Sequence, residues 1–118
     1  MKLRIKGNSI RLRLLRSEVD RFALQRSISD EVHFGPNSLR YSLRMSSDSE
    51  SIRSSFEDNE ISVFIPEPAA NAWANGDGVG LEAEQPIGNG EMLSILIEKD
   101  FVCVGRPDDP DREDAFPV

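Results

Sequence analysis

Residues able to bind a ligand are concentrated among the basic side chains of the first half of the chain. In residues 2–6 and 10–14, lysine or arginine alternates with apolar residues. Because alternate residues of a β-strand point to the same side, this spacing predicts one basic face opposite one apolar face. Such a face is either the solvated side of an antiparallel sheet or a site for an anionic group. The crowding of cations favours the anion site, because like charges opposed across two strands are destabilising. The predicted anion-binding residues are Lys2, Arg4, Lys6, Arg11, Arg13, Arg40, Arg44 and Arg53.

Two carboxylates of the second half, Glu82 and Glu84, are the candidates for a metal site. Residues two apart on a strand share a face, and carboxylate oxygens are ligands that hard divalent cations prefer. Glu31 or Glu98 would supply a third oxygen, and the ion would be Mg²⁺ or Mn²⁺. The alternative is that both glutamates are simply solvated, and no other cofactor is predicted.

No catalytic residue is predicted. His33 is the only histidine; it could act as a general base, but a single histidine on a polar strand face is more often solvated. Cys103 is the only cysteine, and its position near the end of the last predicted strand is typical of a small structural hydrophobe. A lone cysteine excludes an internal disulfide, which fits a cytoplasmic protein. No apolar run approaches the roughly 20 residues that cross a bilayer, so a membrane partner is not expected.

The charge of the chain is unevenly distributed. Residues 1–53 hold 11 Lys and Arg against six Asp and Glu, a net charge of +5, whereas residues 54–118 hold three against 15, a net charge of −12. The expected partners are therefore an anionic ligand, an acidic protein surface or a second copy of the chain. The acidic pI of about 4.7 argues against nucleic acid, as does the scarcity of aromatics among the cations, where Phe64 is the single candidate for base stacking.

The first pair of strands has a register that the sequence pattern selects. Gly7-Asn8 is typical of a two-residue hairpin loop. This loop places Ile5 opposite Ile10 and Arg4 opposite Arg11, so that apolar and basic residues occupy separate faces. Asp58-Asn59 predicts a second hairpin in which Phe56 lies opposite Ile61.

A short helix is expected after each hairpin. Ser17 resembles an N-cap with Asp20 three residues later, and Val19, Phe22 and Ala23 form an apolar stripe. In the second half, Pro68 suits a first helical position, Ala69, Ala70 and Trp73 form the stripe, and Gly76 suits the end. Alternating strands follow at 28–34, 39–45, 79–84 and 92–98.

These elements describe two copies of one unit. A shift of 51 residues superposes the apolar landmarks of the halves: Ile10, Leu12, Leu14, Phe22 and Ile28 fall on Ile61, Val63, Ile65, Trp73 and Val79. With three more residues inserted in the later loop, Leu39, Tyr41 and Leu43 fall on Leu93, Ile95 and Ile97. We therefore expect a single domain over 1–118, with a first ββαββ copy at 1–45, a polar linker at 46–51, a second copy at 52–104 and an acidic tail at 105–118. The predicted fold is α+β, with eight mostly antiparallel strands in a curved sheet or a wide barrel and two helices on its apolar face.

The opening MKLRIKGNSIRLRL, followed by Ser17-Glu-Val, resembles a family of small bacterial proteins of unknown function. The resemblance extends to Glu98-Lys-Asp-Phe and Ala115-Phe-Pro, and it implies no activity.

The predicted topology is similar to that of the triphosphate tunnel (CYTH-type) superfamily, whose closed barrel binds triphosphate and divalent metal. That family has a Glu-x-Glu-x-Lys motif in its first strand, where this chain has Lys2-x-Arg4-x-Lys6; its one Glu-x-Glu is Glu82-Ala-Glu84. Three functions therefore stay open: a non-catalytic binding domain with a basic face, a metal-dependent hydrolase of a triphosphate or other phosphorylated compound, and a structural subunit without a ligand.

Overall fold

A computed structural model describes residues 1–100 of the chain. These residues form eight strands and two helices. The strands are β1 (Lys2–Ile5), β2 (Ser9–Leu14), β3 (Ser27–His33), β4 (Ser38–Ser46), β5 (Arg53–Glu57), β6 (Glu60–Pro66), β7 (Gly80–Gly88) and β8 (Glu91–Lys99). The helices are α1 (Arg16–Gln25), after β2, and α2 (Glu67–Asn75), after β6. Neither helix has the length and hydrophobicity needed to cross a membrane.

Both predicted hairpin registers are confirmed. In the first hairpin Ile5 lies opposite Ile10 and Arg4 opposite Arg11. In the second, Phe56 lies opposite Ile61. Gly7 has a φ of 56°, and the loop residues Asp58 and Asn59 have φ values of 52° and 61°. These positive angles are those of two-residue loops whose twist matches that of the flanking strands.

The strands form two four-stranded sheets instead of one. The first sheet has the order β1-β2-β8-β7 and the second has the order β3-β4-β6-β5. Each sheet therefore combines one hairpin from each half of the chain. The outer pairs are antiparallel, as expected, but the central pairs β2–β8 and β4–β6 are parallel. The sequence pattern did not predict these parallel pairs, because it specifies which residues share a face and not which strands become neighbours.

The two sheets do not close into a barrel. The wide barrel, one of the two arrangements that the sequence predicted, is therefore wrong for the described strands. One contact between facing sheet edges is made by polar side chains. The Ser54 amide and hydroxyl both donate to the Gln85 Oε1 at 2.7 Å, and the Gln85 amide donates to the Ser54 carbonyl at 3.1 Å. Side-chain bonds replace the strand ladder that a closed barrel would need.

The helices fill one end of the space between the sheets. Both follow the last residue of a central strand, which places them at the end opposite the four hairpin loops. Phe22 of α1 and Trp73 of α2 are buried and meet edge to face, with ring centroids 6.2 Å apart. They join one core with residues of both sheets, including Leu12 and Val63. The two helices therefore lie against the apolar sides of the sheets, as predicted, but they cover only one end of them.

Two helix starts differ from the prediction. Leu15, not Ser17, is the N-cap of α1, and its backbone amide donates to the Glu18 carboxylate at 2.9 Å. Helix α2 begins at Glu67, one residue before Pro68, and its C-cap is Gly76 as predicted. Helix starts are hard to place because several neighbouring polar residues can satisfy the exposed amides of the first turn.

The two central parallel pairs have corresponding registers. Ile10 pairs with Ile95 in the first sheet, and the residues at the equivalent positions, Ile61 and Tyr41, pair in the second. The predicted match of Ile28 with Val79 is not supported by the registers. Ile28 pairs with Leu43, whereas Ile97, which the sequence shift matches with Leu43, pairs with Leu81. Val79 is exposed and precedes β7. The expected linker at 46–51 begins in the last residue of β4. The predicted acidic tail and the last residues of the second copy lie outside the described residues.

Candidate functional site

The eight predicted anion-binding residues lie on two different faces. Both sheets contribute their apolar sides to one core, so their polar sides point away from each other. We call these polar sides the first and second outer faces, after the sheet that carries them. The first outer face carries Lys2, Arg4, Lys6, Arg11 and Arg13, whereas the second carries Arg40, Arg44 and Arg53. The single basic face expected from the sequence is therefore wrong.

The strand registers arrange the first outer face in level rows that cross all four strands. One row runs from Arg4 through Arg11 and Leu96 to Glu82. The row on its helix side consists of Lys2, Arg13, Glu98 and Gly80. The row on its loop side consists of Lys6, Ser9, Ser94 and Glu84, with Lys6 placed by its backbone bond to the Ser9 carbonyl. Each row passes from basic or neutral residues on β1–β2 to acidic or neutral residues on β8–β7.

We call the β1–β2 side of this face the basic half. Lys2, Arg4, Arg11 and Arg13 surround a shallow depression of about 300 Å³. Arg4 and Lys6 are exposed, and within residues 1–100 neither side chain forms an ion pair or a hydrogen bond. The facing register pairs Arg4–Arg11 and Lys2–Arg13 each combine two cations. A pair of this kind is destabilising, so the basic half holds positive charge that its own strands do not compensate.

Acidic side chains compensate part of this charge from the neighbouring strand. Glu98 accepts hydrogen bonds from Arg13 at 2.8 and 3.0 Å and lies 3.6 Å from the Arg11 guanidinium. Lys2 lies 3.5 Å from the Asp100 carboxylate. These contacts lie toward the helix end of the sheet. The cations toward the loop end, Arg4 and Lys6, are left with solvent in the described structure.

The β8–β7 side of the first outer face is its acidic half. Glu82 and Glu84 share a depression of about 540 Å³ with Arg11 and Leu96. Glu84 accepts hydrogen bonds from the Ser94 hydroxyl at 2.8 and 2.9 Å, and both glutamates are exposed. Glu31, one of the two residues expected to complete a metal site, lies on the other sheet. In residues 1–100 no group of three or more histidine, cysteine or acidic side chains is placed to hold a metal ion.

The second outer face pairs its arginines locally. Arg44 donates to Glu60 at 3.0 Å, and Arg40 lies 3.9 Å from Glu31. The buried Ser42 hydroxyl also donates to Glu60, at 2.5 Å. This hydroxyl bond, followed by the bond and charge of Arg44, lowers the pKa of the Glu60 carboxyl below its ordinary value.

The third arginine of the second outer face, Arg53, contacts an aromatic ring. The Arg53 guanidinium lies over the Phe64 ring, 4.3 Å from its centroid. Such contacts hold an arginine in place through the negative face of the ring. Arg40, Arg44 and Arg53 therefore all have partners, and we do not retain them as a joint anion site with Arg4.

The only histidine is exposed at the end of β3. The His33 Nδ1 lies 3.0 Å from the Ser38 hydroxyl, and the two residues are register partners on the second outer face. Among the residues described, the His33 ring forms no ion pair with a carboxylate that would suit it to act as a general base. Cys103 lies outside the described residues.

Sequence reasoning missed an apolar cleft at the loop end of the molecule. The two sheets flank this cleft, which has a volume of about 560 Å³ and is lined by Ile5, Ile10, Leu39, Ser54, Ser55, Phe56, Ile61, Gln85, Ile87 and Leu93. The exposed fractions of Ile5 and Phe56 are 59% and 68%. The alternation of apolar and polar residues in β1 and β5 correctly predicted that these side chains lie on the apolar sides of the sheets. It could not show that the helices fill only the opposite end.

These observations define a mostly-strand α+β domain with two open sheets and one charge-divided outer face. The chain matches a family of unknown function (DUF7009) over residues 1–118, and it belongs to that family. The resemblance to a small family of unknown function is thereby confirmed, whereas no match supports the triphosphate tunnel superfamily. No curated protein and no solved structure matches the chain.

Proposed function

We propose that this protein is a non-catalytic binding domain that takes an anionic group on the basic half of the first outer face. The observation that carries the proposal is the register pair Arg4–Arg11, two cations side by side of which Arg4 has no compensating partner within residues 1–100. A bound anion would remove the repulsion between them. The depression beside them can receive a compact anion such as a phosphate or a carboxylate.

The metal-dependent hydrolase is not retained as a second candidate. It needs a closed, charged interior, whereas the described sheets are open and Glu82 and Glu84 lie on an outer surface. We assign binding and no reaction to this face. The cytoplasm is the proposed location, since a chain with one cysteine is suited to a reducing compartment.

A duplication of one ββαββ unit is part of this proposal. The corresponding registers of the β2–β8 and β4–β6 pairs support it, as does the equivalent position of Phe22 and Trp73. In this arrangement the first hairpin of each copy pairs with the second hairpin of the other copy, which produces two similar sheets. Later substitution would then have given the two outer faces different charges.

Binding of tripolyphosphate tests the proposed function, with titration calorimetry as the measurement. We expect Arg4→Gln to weaken binding by roughly tenfold, because one charge-assisted contact is worth about 1.5 kcal/mol or more. Binding should also weaken as NaCl is raised, since exposed charges are screened.

Arg40→Gln is the matched control, because Arg40 is a similarly placed strand arginine on the second outer face. It should bind tripolyphosphate as the original chain does. Equal loss in both variants would mean that general positive charge, and not the basic half, attracts the anion. No measurable binding by the original chain at low salt would reject the proposal.

A further inference from the structure

We propose that the anion received by the basic half is the acidic half of a second copy, in a symmetric dimer formed through the first outer face. This inference rests on the proposed function and names its partner. It starts from the level rows of that face, which carry opposite charges at their two ends.

A two-fold axis parallel to the strands, between β2 and β8, relates the two copies in this dimer. Rotation about such an axis keeps the height of every row and exchanges its ends. It therefore places β1 of one copy over β7 of the other, and β2 over β8. The same surface is used by both copies, as in most homodimers.

Each row is complementary to its own rotated image. In the middle row Arg4 faces Glu82 of the second copy, and Arg11 faces Leu96. In the loop-side row Lys6 faces Glu84. In the helix-side row Arg13 faces Glu98, to which it also binds within its own chain.

No like charges are opposed in any of the three rows. The two cations of the first outer face without partners in residues 1–100, Arg4 and Lys6, are those that meet the exposed carboxylates Glu82 and Glu84. Half-buried Leu96 lies near the axis and provides an apolar centre that the Arg11 stem can cover. A charged rim around an apolar centre is typical of protein interfaces.

The second outer face lacks this property. Its three arginines and the glutamates Glu31 and Glu60 are already paired among themselves or with Phe64. A rotated copy would find little uncompensated charge there. Charge complementarity therefore selects the first outer face for the second copy.

The contact is small and its affinity depends on salt. Four strands span roughly 15 Å between the outer strand axes, and six residues extend about 20 Å. An interface of this size is smaller than the roughly 1,200 Å² that a stable complex buries and is that of a weak, transient contact, so the dimer should form at high protein concentration and dissociate on dilution. Charge pairs at its rim should be lost as ionic strength rises.

Charge reversal tests the dimer, with sedimentation velocity at low ionic strength as the measurement. Arg4→Glu opposes two glutamates in each half of the interface, and Glu82→Arg opposes two arginines. Each variant alone should dimerise at least about tenfold more weakly than the original chain. An equimolar mixture of the two variants should restore the dimer. In the mixed dimer the two substituted side chains face each other with opposite charges in one half of the interface, and the original Arg4–Glu82 pair persists in the other.

Arg40→Glu, on the second outer face, is the control and should dimerise normally. Circular dichroism establishes that each variant is folded, as expected for substitutions of exposed side chains. The dimer is rejected if the original chain stays monomeric at low ionic strength across the concentration range. It is equally rejected if folded single variants dimerise unchanged, or if their mixture stays monomeric.

The failure of this inference differs from a failure of the proposed function. A monomer that binds tripolyphosphate through Arg4 rejects the dimer and leaves the anion-binding function in place. A monomer that binds no tripolyphosphate rejects both.

Discussion

The two outer faces have the same strand arrangement but opposite ways of handling charge. On the second, Arg40, Arg44 and Arg53 each contact a carboxylate or a ring within the sheet. On the first, cations occupy β1–β2 and carboxylates occupy β8–β7, so that contact is made mainly where the halves meet, at Glu98. Two similar strand frameworks in one molecule can therefore carry one face whose arginines are paired within the sheet and another on which cations and carboxylates lie on separate strands.

This comparison depends on both sheets sharing one core, and Phe22→Ala tests that dependence. Phe22 is fully buried against Trp73 between the sheets. We expect the free energy of unfolding to fall by about 3–5 kcal/mol, through lost burial and the cavity left behind. Urea denaturation followed by two probes should show one transition in which both sheets unfold together.

Leu24→Ala is the matched control on the same helix. Leu24 is 83% exposed, so its truncation should change the free energy of unfolding by less than about 0.5 kcal/mol. Two separate transitions in the Phe22 variant would mean that the sheets are independent, and their faces could then not be compared as parts of one unit.

Glu60→Gln tests whether the second outer face contributes to stability. Glu60 accepts bonds from the buried Ser42 hydroxyl and from Arg44, so we expect a loss of about 1 kcal/mol at neutral pH. Folding lowers the pKa of Glu60, so its contribution is complete above the ordinary value of 4.5 and is lost as pH falls through the lower, folded-state pKa. The difference between variant and original chain should therefore shrink in acid.

Urea denaturation at neutral and acidic pH measures this difference. Glu57→Gln is the control, since Glu57 is the register partner of Glu60 but forms no ion pair among residues 1–100. It should not lower the free energy of unfolding, and it should raise it by a few tenths of a kcal/mol at most, because it removes a like charge opposite Glu60. A Glu60 effect that stays constant down to strongly acidic pH would contradict the role of its charge.

Arg4→Gln is expected to have the smallest effect and the opposite sign. Removing one member of the Arg4–Arg11 pair should raise the free energy of unfolding by a few tenths of a kcal/mol at low salt. The gain should vanish at about 500 mM NaCl, where charges more than a few ångströms apart are screened. Dilute protein keeps the chain monomeric in this measurement.

Arg40→Gln should show no such gain, because it removes a contact with Glu31. If Arg4→Gln proved destabilising by about 1 kcal/mol or more, at any salt, Arg4 would be a structural residue. The contrast between the two outer faces would then disappear.

Short-range patterns in the sequence determined the hairpins and the apolar stripes of the helices. The loop Gly7-Asn8 and the alternation around it were sufficient for the register of Arg4 with Arg11, because a one-residue slip would expose apolar side chains. The helical spacing of apolar residues correctly identified Phe22 and Trp73 as buried residues. In these cases the determining contacts lie within a few residues of each other along the chain.

Only the tertiary structure decided which hairpins share a sheet. The parallel pairing of β2 with β8 joins residues more than 80 positions apart, and alternation alone is compatible with many partners. That pairing separates Arg4 from Arg40, brings Glu98 to Arg13 and divides the first outer face into two charged halves. Strand period specifies the face on which a side chain lies, whereas packing of the common core selects the strands that lie beside it.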